Sequence, residues 1–211
     1  MATAPKRCST ATSESCRSVM GAEPTGLLPL PQGIRYLDPA ATSLPTPAAV
    51  LDAGESWYRY QGVSPSRGHG RLCDDVAGRG AACRTRAAQL FGVPAERLVF
   101  LSGATEALNL AIRGMLPGAA SSPPKVVTTA FEHSSVARPL RAMQQEGRIQ
   151  LEILAAQADG TLNADQGAAQ IAEVAPDLLV CTHASNVTGQ QLPIAALAAA
   201  ARQSGAKILL D

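Results

Sequence analysis

Residues 98–112 read LVFLSGATEALNLAI, and the rest of the chain takes its meaning from them. Leu98 to Leu101 has the composition of a short strand. Ser102-Gly103-Ala104-Thr105 is a turn of small residues, and Leu108, Leu110 and Ile112 then fall on a helix. A strand that breaks into a helix at glycine leaves several backbone N–H groups unpaired and converging. With the positive end of the helix dipole they form a seat for a phosphate. Small residues at 103 and 104 let an anion approach, and Thr105 adds a hydroxyl. An ordinary strand-to-helix turn carries the same local signature, so the flanking sequence has to decide.

Downstream, apolar strands alternate with helical patterns. KVVTT (125–129), 149–154, 178–182 and KILLD (207–211) read as strands. Residues 133–145, 163–174 and 193–203 read as helices, punctuated by Gly147, the cap Asn163 and Gly205. This alternation predicts a mainly parallel sheet with helices on both faces. Upstream, GIRYLD (33–38) reads as a strand. Thr46-Pro47 opens a helix through Tyr60, and a long helix spans about residues 71–91 with Gly92 as its stop. The expected organisation is a disordered leader over 1–32, an N-terminal strand and helices over 33–97, and the first part of a larger α/β domain over 98–211. The leader is Ala/Ser/Thr-rich with scattered Arg and Lys, so organellar targeting competes with simple disorder, and Met20 competes with Met1 as the start.

Composition narrows the function classes. A net charge of +1 over 211 residues leaves no broad basic footprint for nucleic acid, and no apolar run is long enough to span a bilayer. Five cysteines without a CxxC support neither a disulfide framework nor a zinc cluster, which makes a reducing cytoplasm the default expectation.

In open α/β sheets, ligands sit beyond the carboxyl ends of the strands. Four polar groups fall there: Thr105, His133, Asn186 and Asp211. Singly, each has an ordinary structural explanation. His133 starts a helix and Asn186 is a turn residue, whereas Asp211 on an apolar strand asks for a cationic partner. One molecule satisfies all four. It has a phosphate for the turn at Gly103–Thr105 and a flat ring to stack on His133. It also has a ring hydroxyl for Asn186 and a protonated ring nitrogen for Asp211. Pyridoxal 5'-phosphate has that chemistry, and the ring proton makes it an electron sink.

Five segments carry a resemblance in order and spacing: DPAATS (38–43), SGATEALNLAI (102–112), TTAFEHSSV (128–136), HASNVTGQ (183–190) and KILLD (207–211). Together they resemble the class V aminotransferase family of fold-type I pyridoxal-phosphate enzymes, and within it the cysteine desulfurase and selenocysteine lyase branch. The resemblance implies a three-layer α/β/α large domain. It assigns Ala104 and Thr105 to the phosphate, His133 to ring stacking as the candidate catalytic residue, Asn186 to the ring oxygen and Asp211 to the ring nitrogen. It also implies a homodimer, an amino-acid substrate, a sulfur-acceptor protein and desulfuration of cysteine to alanine. Sibling chemistries remain open: transamination, selenocysteine lysis or an epimerase-like elimination. A non-catalytic phospholigand-binding α/β module is the reading from a different class.

Two departures accompany the resemblance. Pro39 stands where Asn or Ser is usual, and the loop at 64–70 lacks the histidines of the related NxHRGxH loop, so His69 receives no role. The resemblance also covers only the N-terminal half of the family. The Schiff-base lysine, the carboxylate-binding arginine and the persulfide cysteine are all expected beyond residue 211, and the chain is expected to be inactive and poorly soluble alone. Of Lys6, Lys125 and Lys207, only the last shares a strand with Asp211, and it lies roughly 13 Å away at strand rise.

Overall fold

The computed structural model describes residues 30–117 and 122–211. Residues 1–29 of the expected leader, with Cys8, Cys16 and Met20, lie outside the described residues. The chain separates into two compact units, one ending at Leu98 and the other running Val99–Asp211.

Among the described residues, the first unit contains helix α1 (Ala48–Tyr60), helix α2 (Arg71–Phe91) and a 3-10 turn at Ala95–Arg97. Helix α2 ends as its sequence predicts. Gly92 adopts φ 63° and ψ 32°, and its N–H returns to the last turn, which a residue with a side chain does only under strain. Helix α1 begins one residue later than the Thr46-Pro47 pattern suggests: Pro47 is the cap, and Thr46 Oγ1 donates to the Ser43 carbonyl instead. The strand expected at 33–38 does not form. Ile34 N–H closes onto the Pro31 carbonyl and Ala41 N–H onto that of Asp38, so local turns consume the backbone bonding and Leu37 stays exposed.

The strand expected at Leu98–Leu101 is likewise absent. Leu98 is extended, with φ −96° and ψ 127°, but its carbonyl accepts from the Arg84 guanidinium rather than from a neighbouring strand. Val99 and Phe100 are exposed. An apolar run becomes a strand only where a neighbour completes its ladder.

The second unit is a four-stranded parallel sheet of β1 (Lys125–Thr129), β2 (Gln150–Leu154), β3 (Leu178–Cys181) and β4 (Lys207–Leu210), in the order β2-β1-β3-β4. Helix α3 (Ala104–Met115) precedes it. Helices α4 (Ser134–Gln145), α5 (Ala164–Val174) and α6 (Ile194–Gln203) form the crossovers. Successive strand residues face opposite sides, so both faces must be apolar. Val127, Leu179 and Cys181 pack with Leu154, Ile171 and Leu197 on the face covered by α5 and α6. Val126, Leu178 and Val180 pack with Leu108, Ile112, Val136 and Leu140 on the face covered by α3 and α4. This is the expected three-layer α/β/α arrangement. Lys207 lies at the amino end of β4 and donates to the Met115 carbonyl at 2.7 Å, away from the strand's carboxyl end. No helix among the described residues is long and apolar enough to cross a membrane.

Cys181 shows how closed this core is. Its side chain is fully buried, and burial, followed by the nearby Glu132 charge, pushes the thiol up to about 12. At neutral pH iodoacetamide should therefore label the exposed Cys83 while Cys181 reacts only after denaturation. Mass spectrometry showing comparable labelling of the two would place Cys181 outside the core.

Candidate functional site

Strands β1 and β3 are neighbours, yet the chain leaves β1 toward β2 and returns to β3 on the other side. At such a switch point no crossover covers the carboxyl ends of the strands, and a crevice opens there. The segments that leave those ends are 130–133 after β1, 182–190 after β3, and Asp211 after β4.

Helix α3 presents its N-terminus with Gly103 as cap. Gly103 has φ 174°, an extended conformation open to any residue, so what glycine contributes is the lack of a capping side chain rather than a special backbone angle. The first-turn N–H groups of Ala104 and Thr105 are thus left for an outside acceptor. Ser102 is held by Glu106, whose Oε2 accepts from Ser102 Oγ at 2.5 Å and from Ser102 N–H at 2.9 Å. Those two bonds, the side-chain one foremost, hold the Glu106 carboxyl below the usual range. Asn109, one turn further on, donates through Nδ2 to the Thr105 carbonyl at 2.9 Å and to the Ser135 carbonyl at 3.3 Å. It thereby ties the first turn of α3 to the first turn of α4.

His133 is the N-cap of α4. Its Nδ1 accepts from Ser135 N–H at 3.2 Å and lies 2.7 Å from Ser135 Oγ. With that lone pair engaged, the neutral ring carries its proton on Nε2, and the ring stays exposed on the rim. The cap bond fixes the ring by its Nδ1 edge.

Its neighbour Glu132 turns inward. Oε1 accepts from Thr129 Oγ1 at 2.6 Å and from Thr182 N–H at 3.0 Å, joining the end of β1 to the end of β3. Oε2 is buried without a partner among the described residues, as is Thr128 Oγ1. Both residues border a cavity of about 160 Å³ that Arg141 also lines. Burial, in spite of the Thr129 and Thr182 bonds, raises the Glu132 carboxyl above its ordinary value, and the Asp211 charge adds to the rise.

Asn186 is exposed on a tight loop bridged at Ala184 and Gln191. Buried Ser185 frames it: its Oγ accepts from Val187 and Thr188 N–H groups, and its carbonyl accepts from Gly189 N–H at 2.8 Å. Gly189 closes the loop at φ 71°. Asp211 continues the ladder beside β3. Its N–H donates to the Cys181 carbonyl at 3.0 Å and its carbonyl accepts from His183 N–H at 2.8 Å. The two ion pairs among the described residues are Arg59–Glu55 and Arg148–Glu146, so neither Asp211 nor Glu132 meets a cation there.

The five sequence-derived residues thus all lie on the carboxyl-end rim. Ala104 and Thr105 are linked to the start of α4 through Asn109. His133 is linked to Asp211 through Glu132 and Thr182, and the Asn186 loop begins one residue after Thr182. Sequence reasoning passed over Asn109, Glu132 and Ser185. Asn109 had a signal, a polar residue one turn after Thr105 among the apolar Leu108, Leu110 and Ile112. Glu132 had none, because its bond to Thr182 spans 50 residues.

Two expectations follow. Asn109→Ala removes one bond within α3 and one from α3 to α4, and should cost about 1–2 kcal/mol in urea unfolding; an unchanged midpoint would mean the bonds hold nothing. For Glu132 the folded carboxyl titrates above the unfolded one. Wild-type stability relative to Glu132→Gln is therefore greatest below the unfolded value, about 4.3, and declines as pH rises from there through the folded value. Paired urea midpoints across acid to neutral pH should shift in favour of the Gln variant, and a gap that is flat with pH would contradict the burial of an unneutralised carboxyl.

The family model described as aminotransferase class-V matches residues 35–211. A cysteine desulfurase of Cronobacter sakazakii (strain ATCC BAA-894) is 35% identical over 181 residues, covering 85% of this chain and 44% of that protein. A cysteine desulfurase of Enterobacter sp. (strain 638) is 32% identical over 179 residues, with 84% and 44% covered. Among solved structures, the apo cysteine desulfurase of Thermococcus onnurineus NA1 superimposes with a TM-score of 0.77 at 25% identity, covering 97% of this chain and 48% of that one. The chain thus spans less than half the length of these relatives. On the match over residues 35–211, the chain belongs to the aminotransferase class-V family.

Proposed function

We propose that the rim of the second unit is the cofactor-binding half of a pyridoxal-phosphate site, in a protein that removes sulfur from cysteine. The observation that carries this reading is that two neighbouring carboxylates, Asp211 and Glu132, make no ion pair among the described residues. A side-chain-free helix cap and an exposed, edge-anchored imidazole stand beside them. Unneutralised carboxylates in a crevice favour a cationic group, and a protonated ring nitrogen is one. In this proposal the Ala104 and Thr105 N–H groups, with the Thr105 hydroxyl, take the phosphate. His133 covers one ring face, Asn186 donates to the ring oxygen and Asp211 holds the ring proton.

When bound, pyridoxal phosphate supplies an electron sink for bonds at the amino-acid α-carbon. The chain's own residues orient it. Helix α3 anchors one end electrostatically and Asp211 keeps the far nitrogen charged. His133, with Nδ1 committed to the Ser135 amide, keeps its Nε2 proton on the outer edge of the ring. The choice of cysteine desulfuration over transamination is supported by the cysteine desulfurase relatives of both comparisons. A homodimer, a sulfur-acceptor protein and a cytoplasmic setting complete the proposal on the strength of the family resemblance.

The test is to express the complete reading frame that encodes this chain and assay the purified protein. Bound pyridoxal phosphate, seen by its visible absorbance, with release of alanine and sulfide from L-cysteine under a thiol reductant, is the expected result. Exchange of an amino group with a 2-oxo acid in place of sulfide release would move the protein to transamination. Protein that neither retains nor rebinds the cofactor would overturn the assignment.

A further inference from the structure

Glu132 has no assigned contact with the cofactor in the proposed site, and the crossing of its bonds gives it a role there. The Thr182 N–H points toward β1 and is taken by Glu132 Oε1. The flanking groups point the other way: the Cys181 carbonyl and the His183 N–H both bond Asp211. Thr182 therefore stands in the ladder directly between Glu132 and Asp211. Because Glu132 is covalently joined to His133, an unbroken path runs from the imidazole through the Glu132 carboxylate and the Thr182 peptide to the Asp211 backbone. Its only non-covalent links are short: 3.0 Å at Thr182, then 2.8 and 3.0 Å at Asp211.

From this geometry we propose that Glu132 is a positioning residue, whose carboxylate sets the separation between the His133 ring and the Asp211 carboxylate. The inference rests on the pyridoxal-phosphate reading of the rim, since that separation is the slot a ring would occupy. Three further observations favour position over stability as its purpose. A second bond, from Thr129 Oγ1 at 2.6 Å, fixes the carboxylate from the β1 side, so its direction is determined by both strand ends. Among the described residues it makes no ion pair, although Arg141 lines the same 160 Å³ cavity, and its other oxygen has no protein partner there. A buried carboxylate of this kind destabilises the fold, and an apolar residue of similar size would not. What only the carboxylate supplies is an acceptor that reaches the Thr182 amide from the residue next to the histidine.

The experiment uses the complete reading frame with bound pyridoxal phosphate, comparing wild type with Glu132→Gln, Glu132→Asp and Thr129→Val. Dissociation of the cofactor by equilibrium dialysis and the visible circular dichroism of the bound ring are the readouts, with a thermal melt of each protein to establish folding. Glutamine keeps an acceptor oxygen at the same reach and should hold the cofactor within about threefold of wild type, with its dichroism preserved. Aspartate keeps the charge and shortens the reach, so affinity should fall about tenfold and the dichroic band should change in amplitude. Thr129→Val removes the bond that fixes the carboxylate from the β1 side but leaves the Thr182 link, so its affinity should fall between those of wild type and the Asp variant. A folded Asp variant with wild-type affinity and dichroism overturns the inference alone. So does a Gln variant as impaired as the Asp one, because an acceptor oxygen held at the same reach would then not be enough. If wild type takes up no pyridoxal phosphate, the reading of the rim falls and this inference falls with it.

Discussion

Two neighbouring parallel strands that the chain approaches from opposite sides impose the constraint from which the site arises. The ladder between β1 and β3 is continuous at its amino end, where Val126 and Val127 pair with Leu178 and Leu179. Beyond that pairing the strands part, because the chain must turn toward β2 from one and toward β4 from the other. Backbone groups at the parting lose their ladder partners, and buried groups of that kind have to be satisfied by something else. Glu132 serves the Thr182 amide, Ser185 serves the loop after it, and the exposed remainder forms the rim. The crevice is a product of connectivity before any residue in it is chosen.

Around that parting the sheet needs apolar residues on both faces, and the two clusters of buried side chains provide them in strict alternation. Rigidity there matters to the rim, since hydrogen bonds of 2.6–3.0 Å hold their direction only when both ends are anchored in packed elements. The polar exceptions inside the sheet, Thr128 and Thr129, sit at the carboxyl end of β1 and not in its middle. Their placement follows from the same rule: the core tolerates hydroxyls where it opens.

Much of this was legible in the linear chain. The strands at 125–129, 150–154, 178–181 and 207–210 and the helices between them fall within a residue or two of their patterns, because each has a burial requirement of fixed period and a chemically specific end: the cap Asn163, and Gly147 and Gly205 at positive φ. The two missed strands failed for one reason. Residues 33–38 and 98–101 have strand composition, but a strand is a relation between two segments, and composition speaks for only one of them. In place of a ladder the Leu98 carbonyl has the Arg84 guanidinium, a pairing with no local signature.

Residue types alone therefore determined the α/β alternation, the glycine-led helix start at 103–105 and the presence of an imidazole, an amide and a carboxylate after successive strands. Those are properties of local spacing, and local spacing is written in the chain. Tertiary structure alone decided that β1 adjoins β3, that Glu132 reaches across 50 residues to Thr182, and that Asn109 joins two helix starts. Such contacts depend on which unpaired backbone groups folding leaves near which side chains, and that is settled only when the sheet has closed its ladders.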